Sequence, residues 1–476
     1  MKTQSLKTDL CVIGAGSGGL SVAAAAAAFS SDVILVEKGK MGGDCLNYGC
    51  VPSKALIAAS KKAHEGVNAE KFGVFFEKPK IDYTKVQAHI SEIIAQIAPH
   101  DSVERFEGLG VKIIKGEGRF IDKNTLEVNG TRIKARRFII ATGSSPAIPK
   151  INGLDEVNYF TNETIFELTK LPKHLIIVGG GIIGVELAQA YSRLGAKVSI
   201  VEKSLVLENQ DKELSSIIIG VLKKEGVKIY QQAEIRKISN EKQQINLGFE
   251  FEGITKNIKG SDLLIATGRK SNIENLGLEK ANVEFNKAGI ITDLSLKTSN
   301  KKIFAIGDVR GNMQFTHSAG YQASLVIRNA VFGLPVKLNK NIIPSVIYSD
   351  PQIANVGLSE QMARDIYGDK IKIIRSDFID NDRAKAMRQT TGFVKLILLK
   401  NGKIIGCSII GQNADELISL FSFAIANKQK ALNLASFIAP YPTYSEIAKR
   451  VGINSFADKI SNKWIKRWIS LIKLFP

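Results

Sequence analysis

Cysteine is scarce in this chain, with four in 476 residues, at positions 11, 45, 50 and 407. That excludes a disulfide-stapled scaffold and leaves a catalytic or metal-binding role for any close pair. Cys11 and Cys407 stand alone, so zinc would lack a second ligand pair, and no metal site is expected. Long apolar runs are missing too. No stretch reaches the roughly 18 apolar residues that a spanning helix needs. Histidine is thin, five in all and none beyond His317, so the last third of the chain lacks the side chain that ordinarily titrates near neutrality. The formal charge of +19 is large, yet its lysines and arginines are scattered. They read as solvated faces, and no nucleic-acid partner is expected.

Lys2, Lys7 and the alanine run 23–28 imitate a secretory leader. Asp9 and the following glycines interrupt the apolar stretch, and cleavage there would remove a glycine-rich turn. The expected location is therefore the cytoplasm, which also suits sparse cysteine. At 51.9 kDa the chain is too long for one core and should form two to four domains.

What is present begins with Cys45 and Cys50, in Gly43-Asp44-Cys45-Leu46-Asn47-Tyr48-Gly49-Cys50-Val51-Pro52-Ser53-Lys54. A disulfide wants Cα atoms within about 7 Å, so a bridge across this spacing needs a break in regular helix. Asn47, Gly49 and Pro52 permit one. Cys50 and Lys54 are one helical turn apart, and a cation there favours the reactive thiolate.

The chain also echoes itself. Residues 10–36 read apolar strand, Gly14-x-Gly16-x-x-Gly19, alanine-rich helix, second strand, then Glu37. Residues 175–201 repeat this with Gly179-x-Gly181-x-x-Gly184 and Glu202. Each is a Rossmann-type βαβ unit. The first glycine makes the turn, the second admits a pyrophosphate, the third lets helix meet strand, and the acid accepts from a ribose diol. A second echo sets Ala141-Thr142-Gly143 against Ala266-Thr267-Gly268, each ending an apolar strand, followed by Ile306-Gly307-Asp308. Beyond about residue 340, short strands at 342–348, 393–398 and 404–410 with a helix at 414–426 indicate an α+β domain. Cys407 falls on one of those strands as a core residue. The expected class is α/β, with two Rossmann-type domains and a C-terminal α+β domain.

On these motifs, together with Asp350-Pro351-Gln352-Ile353-Ala354 and Val356-Gly357, the chain resembles the class I pyridine nucleotide-disulfide oxidoreductases. Lipoamide dehydrogenase, glutathione reductase and mercuric reductase belong to that family. The resemblance spans about residues 8–455. It implies an FAD domain (1–149 and 269–340), an NAD(P) domain (150–268), a dimerisation domain (341–455) and an appended tail (456–476). It implies that Gly14, Gly16, Gly19, Glu37, Gly118, Thr142, Gly143 and Asp308 hold FAD. Gly179, Gly181, Gly184, Glu202 and Gly268 would hold the nicotinamide nucleotide, with Glu202 favouring NAD(H) over NADP(H). Cys50 would be the thiolate at the flavin, Cys45 the thiol that meets substrate, and Lys54, paired with Glu186, the cation near the flavin. The implied activity is FAD-dependent NAD(P)H oxidation through a redox-active disulfide in a homodimer. The acceptor, a small molecule or small protein, stays unidentified. The alternative is a flavoprotein kept for docking or redox sensing.

Two segments depart from the pattern. Thiol-disulfide members end in His-x-His-Pro-Thr-x-x-Glu, whose second His is the acid–base catalyst. Here residues 439–446 read Ala-Pro-Tyr-Pro-Thr-Tyr-Ser-Glu, so Tyr441 stands at the base and Glu446 remains. A phenol titrates near 10, far from a neutral base. Tyr441 and the Ala-Pro before it resemble mercuric reductases, yet their terminal cysteine pair is missing. His317 is read as structural. The tail, residues 459–476, holds both tryptophans, Trp464 and Trp468, which share one helical face with Leu471, Ile472 and Phe475. It carries five basic residues and no acid, the pattern of a helix lying on an anionic membrane surface. The other reading is a terminal helix packed on the dimer.

Overall fold

The computed structural model describes residues 4–241, 244–311, 313–457 and 463–474, apart from the side chains of Asn68, Lys463 and Ile465. It separates into two compact units, residues 1–206 with 223–338, and residues 207–222 with 339–476.

The first unit is built on two parallel sheets. In one, Val111–Lys115, Val33–Glu37, Ser5–Ile13 and Thr131–Ile140 lie side by side in parallel. The antiparallel strands Thr125–Val128 and Arg119–Asp122 follow, and Ile303–Ala305 joins parallel to the end of Thr131–Ile140. The cores of these strands are continuous apolar runs because both sheet faces are covered. Leu10, Cys11, Val12, Phe138, Ile139 and Ile140 have no exposed surface. Covering helices include Ser17–Ala28, whose alanines permit close approach: a side chain at Gly18 would press within 3.2 Å of Ala319 and Ile306.

The second sheet repeats the plan with Lys228–Gln231, Lys197–Glu202, His174–Val178 and Asp262–Ile265, all parallel. A three-stranded antiparallel sheet, Glu234–Glu241, Gln244–Phe251 and Ile254–Gly260, packs on it through Leu247 and Phe249. The chain passes between the two parallel sheets at the paired Ala-Thr-Gly strand ends. There Ser144–Pro146 pairs with Arg269–Ser271, and each threonine hydroxyl donates to a backbone carbonyl of the opposite crossing (Thr142 to Asn272, Thr267 to Ala147, both 2.7 Å).

The second unit holds a five-stranded antiparallel sheet in the order Ser345–Ile347, Gln352–Gly357, Ile404–Gly411, Phe393–Leu399, Ile371–Asp377. Helices Ala414–Ala426 and Glu446–Asn454 cover one face. Cys407 is buried in this core, and burial alone pushes its thiol far above the usual range. Lys395 places a buried charge on the sheet. Its ammonium lies 2.8 Å from Asp211 and 3.2 Å from Glu213, partners enough to hold a charge there.

Candidate active site

The two glycine turns have the same geometry. Gly14 and Gly179 adopt φ of +106° and +114°, where an added Cβ would strike the carbonyl oxygens of Ala141 and Ala266 within 2.4 Å. At Gly16 and Gly181 a Cβ would meet nothing within 4 Å, which leaves the approach to the helix N-terminus open. At Gly19 and Gly184 it would lie within 2.1 Å of the carbonyls of Gly14 and Gly179. The helices Ser17–Ala28 and Ile182–Arg193 start without a side-chain cap, so their first N–H groups and positive dipole ends stay available to an anion. Glu37 accepts from the amides of Ala15 and Gly39, both at 2.5 Å, and is nearly buried. Glu202 accepts from the amides of Gly180 at 2.6 Å and Ser204 at 2.8 Å. In each turn the acid is thereby fixed at the end of the second strand, where a ribose would lie. These residues fit two adenine dinucleotides, one per sheet. At Gly118 an added Cβ would come within 3.1 Å of Leu126 and 3.4 Å of Val36.

The dithiol follows the first turn. The helix Gly43–Asn47 carries Cys45, the helix breaks at Tyr48 and Gly49, and Cys50 opens Cys50–His64. Gly43 is pressed against Gly16, where a Cβ would come within 2.7 Å of its Cα, so the cysteine motif is braced on the nucleotide turn itself. Cys45 and Cys50 carry free thiols within hydrogen-bond reach of each other. A hydrogen bond from Cys45, then contact with the Thr316 hydroxyl and the Lys54 charge, outweigh burial and bring the Cys50 thiol down to about 6. The same hydrogen bond and burial push the Cys45 thiol far upward. The two environments thus push the thiols in opposite directions, Cys50 toward the thiolate and Cys45 toward the protonated thiol. Lys54 Nζ lies 2.8 Å from Glu186 Oε2, and Glu186 is almost fully buried.

Sequence reasoning missed a polar network beside this pair. Ser144 donates to Asp308 Oδ2 at 2.6 Å and accepts from Arg269 Nε at 2.7 Å. Arg269 also contacts Asp44 at 3.2 Å, and Asn162 donates to the same Asp44 oxygen at 3.1 Å. Burial raises the Asp308 carboxyl, with Ser144 and Arg269 acting against it. The signal was present in the second echo, for Ser144 and Arg269 directly follow Gly143 and Gly268. His317 stacks on Phe315 with ring centroids 5.3 Å apart.

Tyr441 and Glu446 belong to the second unit. Tyr441 is 73 % exposed, and its hydroxyl donates to Asp382 Oδ2 at 3.3 Å. The Asp382 charge raises the phenol further from neutrality. Glu446 accepts from the Thr443 amide at 3.2 Å rather than from a base. In the tail, Lys463–Ile472 is helical, and Trp464, Trp468, Leu471, Ile472 and Leu474 are exposed. Lys459 and Phe475 lie outside the described residues. No described helix is long and apolar enough to cross a membrane.

Two matching glycine turns, a dithiol braced on the first and a lysine–glutamate pair behind it define a flavoprotein disulfide reductase. The sequence comparisons narrow that class. The profile of pyridine nucleotide-disulphide oxidoreductases matches residues 8–323, and that of their dimerisation domain matches residues 343–451. The chain belongs to the pyridine nucleotide-disulphide oxidoreductase family. It is 37 % identical over 453 residues to a dihydrolipoyl dehydrogenase of Geobacillus stearothermophilus, covering 93 % of this chain and 95 % of that one. It is 35 % identical over 442 residues to a mercuric reductase of Bacillus cereus, covering 92 % and 70 %. Among solved structures it is similar to the Cu(II) complex of the HOCl-induced flavoprotein disulfide reductase RclA of Escherichia coli (TM-score 0.83, 26 % identity, 93 % and 99 % covered). The protein is accordingly an FAD-dependent oxidoreductase working through a disulfide, and the dimerisation-domain match supports a homodimer.

Proposed function

We propose that the chain oxidises NADH, reduces the Cys45–Cys50 disulfide, and delivers the electrons to an acceptor that binds sulfur directly, a thiophilic metal ion foremost. The observation that carries this reading is geometric: Cys45 and Cys50 flank the helix break at Tyr48 and Gly49, Lys54 is held on Glu186 at 2.8 Å one turn beyond Cys50, and Tyr441 rests exposed on Asp382. Bound FAD would relay two electrons between nicotinamide and disulfide. Across that relay one hydride leaves NADH, the S–S bond breaks, Cys45 ends as the thiol and Cys50 as the thiolate. Atoms and charge balance without a further proton. Reoxidation returns two electrons to the acceptor, re-forms the S–S bond and releases one proton.

The FAD would be held by Gly14, Gly16, Gly19, Glu37, Gly118, Thr142, Gly143 and Asp308, in a domain formed by residues 1–149 and 269–340. Gly179, Gly181, Gly184, Glu202 and Gly268, in residues 150–268, would hold the nicotinamide nucleotide. Lys54 stabilises the Cys50 thiolate, and Glu186 keeps Lys54 in place. NADH is favoured over NADPH because the Glu202 carboxylate would repel a 2′-phosphate.

Direct sulfur binding is favoured over dithiol exchange because Tyr441 supplies no base near neutrality. Two names among the similar proteins, mercuric reductase and a Cu(II) complex of a flavoprotein reductase, point the same way. The test is a single-turnover comparison. The protein is reduced with one equivalent of NADH, then mixed with Hg(II), Cu(II), a quinone or oxidised lipoamide. Reoxidation should be fastest with a metal ion, and lipoamide leading would overturn the acceptor class.

A separate observation bears on location. The exposed tryptophans and basic residues of the helix Lys463–Ile472 support attachment to the anionic inner face of a membrane, with the body of the protein in the cytoplasm.

A further inference from the structure

Asp44 is an awkward residue where it stands. It precedes Cys45 and puts a negative charge beside a pair that must hold a thiolate, and its charge opposes ionisation of both cysteines. Its side chain is about one-third exposed, so water screens it only in part. Its ion-pair partner is Arg269, whose side chain is 12 % exposed. That group reaches Asp44 at 3.2 Å, Ser144 Oγ at 2.7 Å, the Ser144 carbonyl at 2.8 Å and Asp308 at 4.0 Å. Asn162, itself buried, donates to Asp44 Oδ1 at 3.1 Å and to the Tyr48 carbonyl at 3.4 Å, which fixes the carboxylate against the helix break. One cation thus joins the carboxylate next to Cys45 to the carboxylate at the flavin end of the site.

We propose that Asp44 and Arg269 form a positioning pair that sets the acidity of the Cys45–Cys50 dithiol, Asp44 opposing the thiolate and Arg269 cancelling that opposition. The other groups around the dithiol are fixed by the fold. Lys54 stands on its own helix with Glu186 behind it, and the Thr316 hydroxyl meets Cys50 at 3.5 Å, next to His317. Glu163 shares the field of Asp44 and Arg269. Tyr83 and Asp101 lie on the elements packed behind the motif. The proposal rests on the reading of Cys45 and Cys50 as the working dithiol.

The sign is what distinguishes an electrostatic pair from a structural one. Asp44→Asn leaves Arg269 uncancelled and lowers the thiolate pKa. Arg269→Met leaves Asp44 uncancelled and raises it. A unit charge at this range behind partial screening shifts a pKa by about half a unit to one unit. The double variant should return close to the unsubstituted protein, and Arg269→Lys should stay near it.

The experiment uses the full-length protein as purified. It is reduced with dithiothreitol and alkylated with iodoacetamide across pH 4 to 10, with Cys45 and Cys50 quantified separately by mass spectrometry. Opposite shifts in the two single variants, restored in the double, carry the proposal. Unmoved midpoints, or shifts of the same sign, overturn it. If Arg269→Met does not fold, Asp44→Asn decides alone, and an unchanged or raised midpoint overturns the pair. A thiol count before and after reduction tests the underlying reading separately. If Cys45 and Cys50 form no reversible disulfide, that reading fails whatever the midpoints do.

Discussion

The cysteine segment 43–54 and the segment 439–446 hold their reactive groups in opposite ways. In the first, two thiols and a lysine sit on consecutive helices braced against a glycine turn, and the lysine is held by Glu186 from the helix Ile182–Arg193. In the second, a phenol stands 73 % exposed on an aspartate, and the neighbouring glutamate is taken up by a backbone amide. The difference teaches where the chemistry is organised. Preorganised charge sits around sulfur, whereas the Tyr441 phenol is held further from neutrality by Asp382. If the proposed roles hold, a reductase so divided should pass electrons to a sulfur-binding acceptor faster than it exchanges thiols.

The sharpest way to break that comparison is at the dithiol. Cys50→Ser and Cys45→Ser should each lower acceptor turnover on the order of 10³-fold or more, as expected when one member of a unit is lost. Their spectra should separate them. The long-wavelength thiolate-to-flavin band of the two-electron-reduced protein should vanish in Cys50→Ser and persist in Cys45→Ser. The sign of its pH dependence follows from the lowered Cys50 value. The thiolate exists above that value, so the band should fade as pH falls through about 6. A band that survives in Cys50→Ser would reverse the two roles.

The next effect comes from the other side of the comparison. Tyr441→His should raise dihydrolipoamide oxidation roughly 10²-fold, the lower range for a positioned acid–base group. The gain requires Glu446 to leave the Thr443 amide and turn to the imidazole. High lipoamide activity in the unsubstituted protein would remove the contrast. A smaller effect concerns the nucleotide. Like charges brought together cost several kcal/mol, so kcat/KM should favour NADH over NADPH by roughly tenfold or more, with Lys203 softening the ratio. Glu202→Ala should narrow it, and equal constants for the two nucleotides would contradict the role given to Glu202.

Much of this was legible in the sequence because glycine spacing encodes backbone geometry directly. Gly14, Gly16 and Gly19 have the three local environments their spacing predicts, and Gly179, Gly181 and Gly184 repeat them. The helix break between Cys45 and Cys50 was legible from Gly49 for the same reason. The α+β texture after residue 340 was visible in its short apolar strands. Arg269, Ser144 and Asn162 were not legible as site residues. Their importance comes from contacts to residues 118 to 164 positions away; the second echo marks the positions of Ser144 and Arg269, but local pattern does not encode the pairings themselves. Asp382, which holds Tyr441 from 59 positions upstream, was hidden for the same reason.

The smallest expected effect on catalysis, and the one that extends the comparison to a third region, lies in the tail. Its exposed face carries Trp464, Trp468, Leu471 and Ile472, and Lys466, Arg467 and Lys473 stand among them without an acid. Tryptophan suits the headgroup level, and each basic residue adds roughly 1 kcal/mol of attraction near anionic lipid. With five positive charges in residues 459–476, the segment is too charged to enter hydrocarbon and should lie flat. Binding to vesicles rich in anionic lipid should therefore weaken as salt rises, because the charge component is screened while the apolar contact is not. Deleting residues 459–476 should leave FAD content and NADH oxidation unchanged, since every proposed site residue lies upstream. Co-sedimentation of both forms with anionic and neutral vesicles decides the matter. Retention of the full-length protein on anionic vesicles alone, lost in the truncated form, carries the reading. Equal partitioning of the two forms would assign the tryptophan face to protein instead, and a dimer that dissociates on truncation would identify the partner subunit as what it covers.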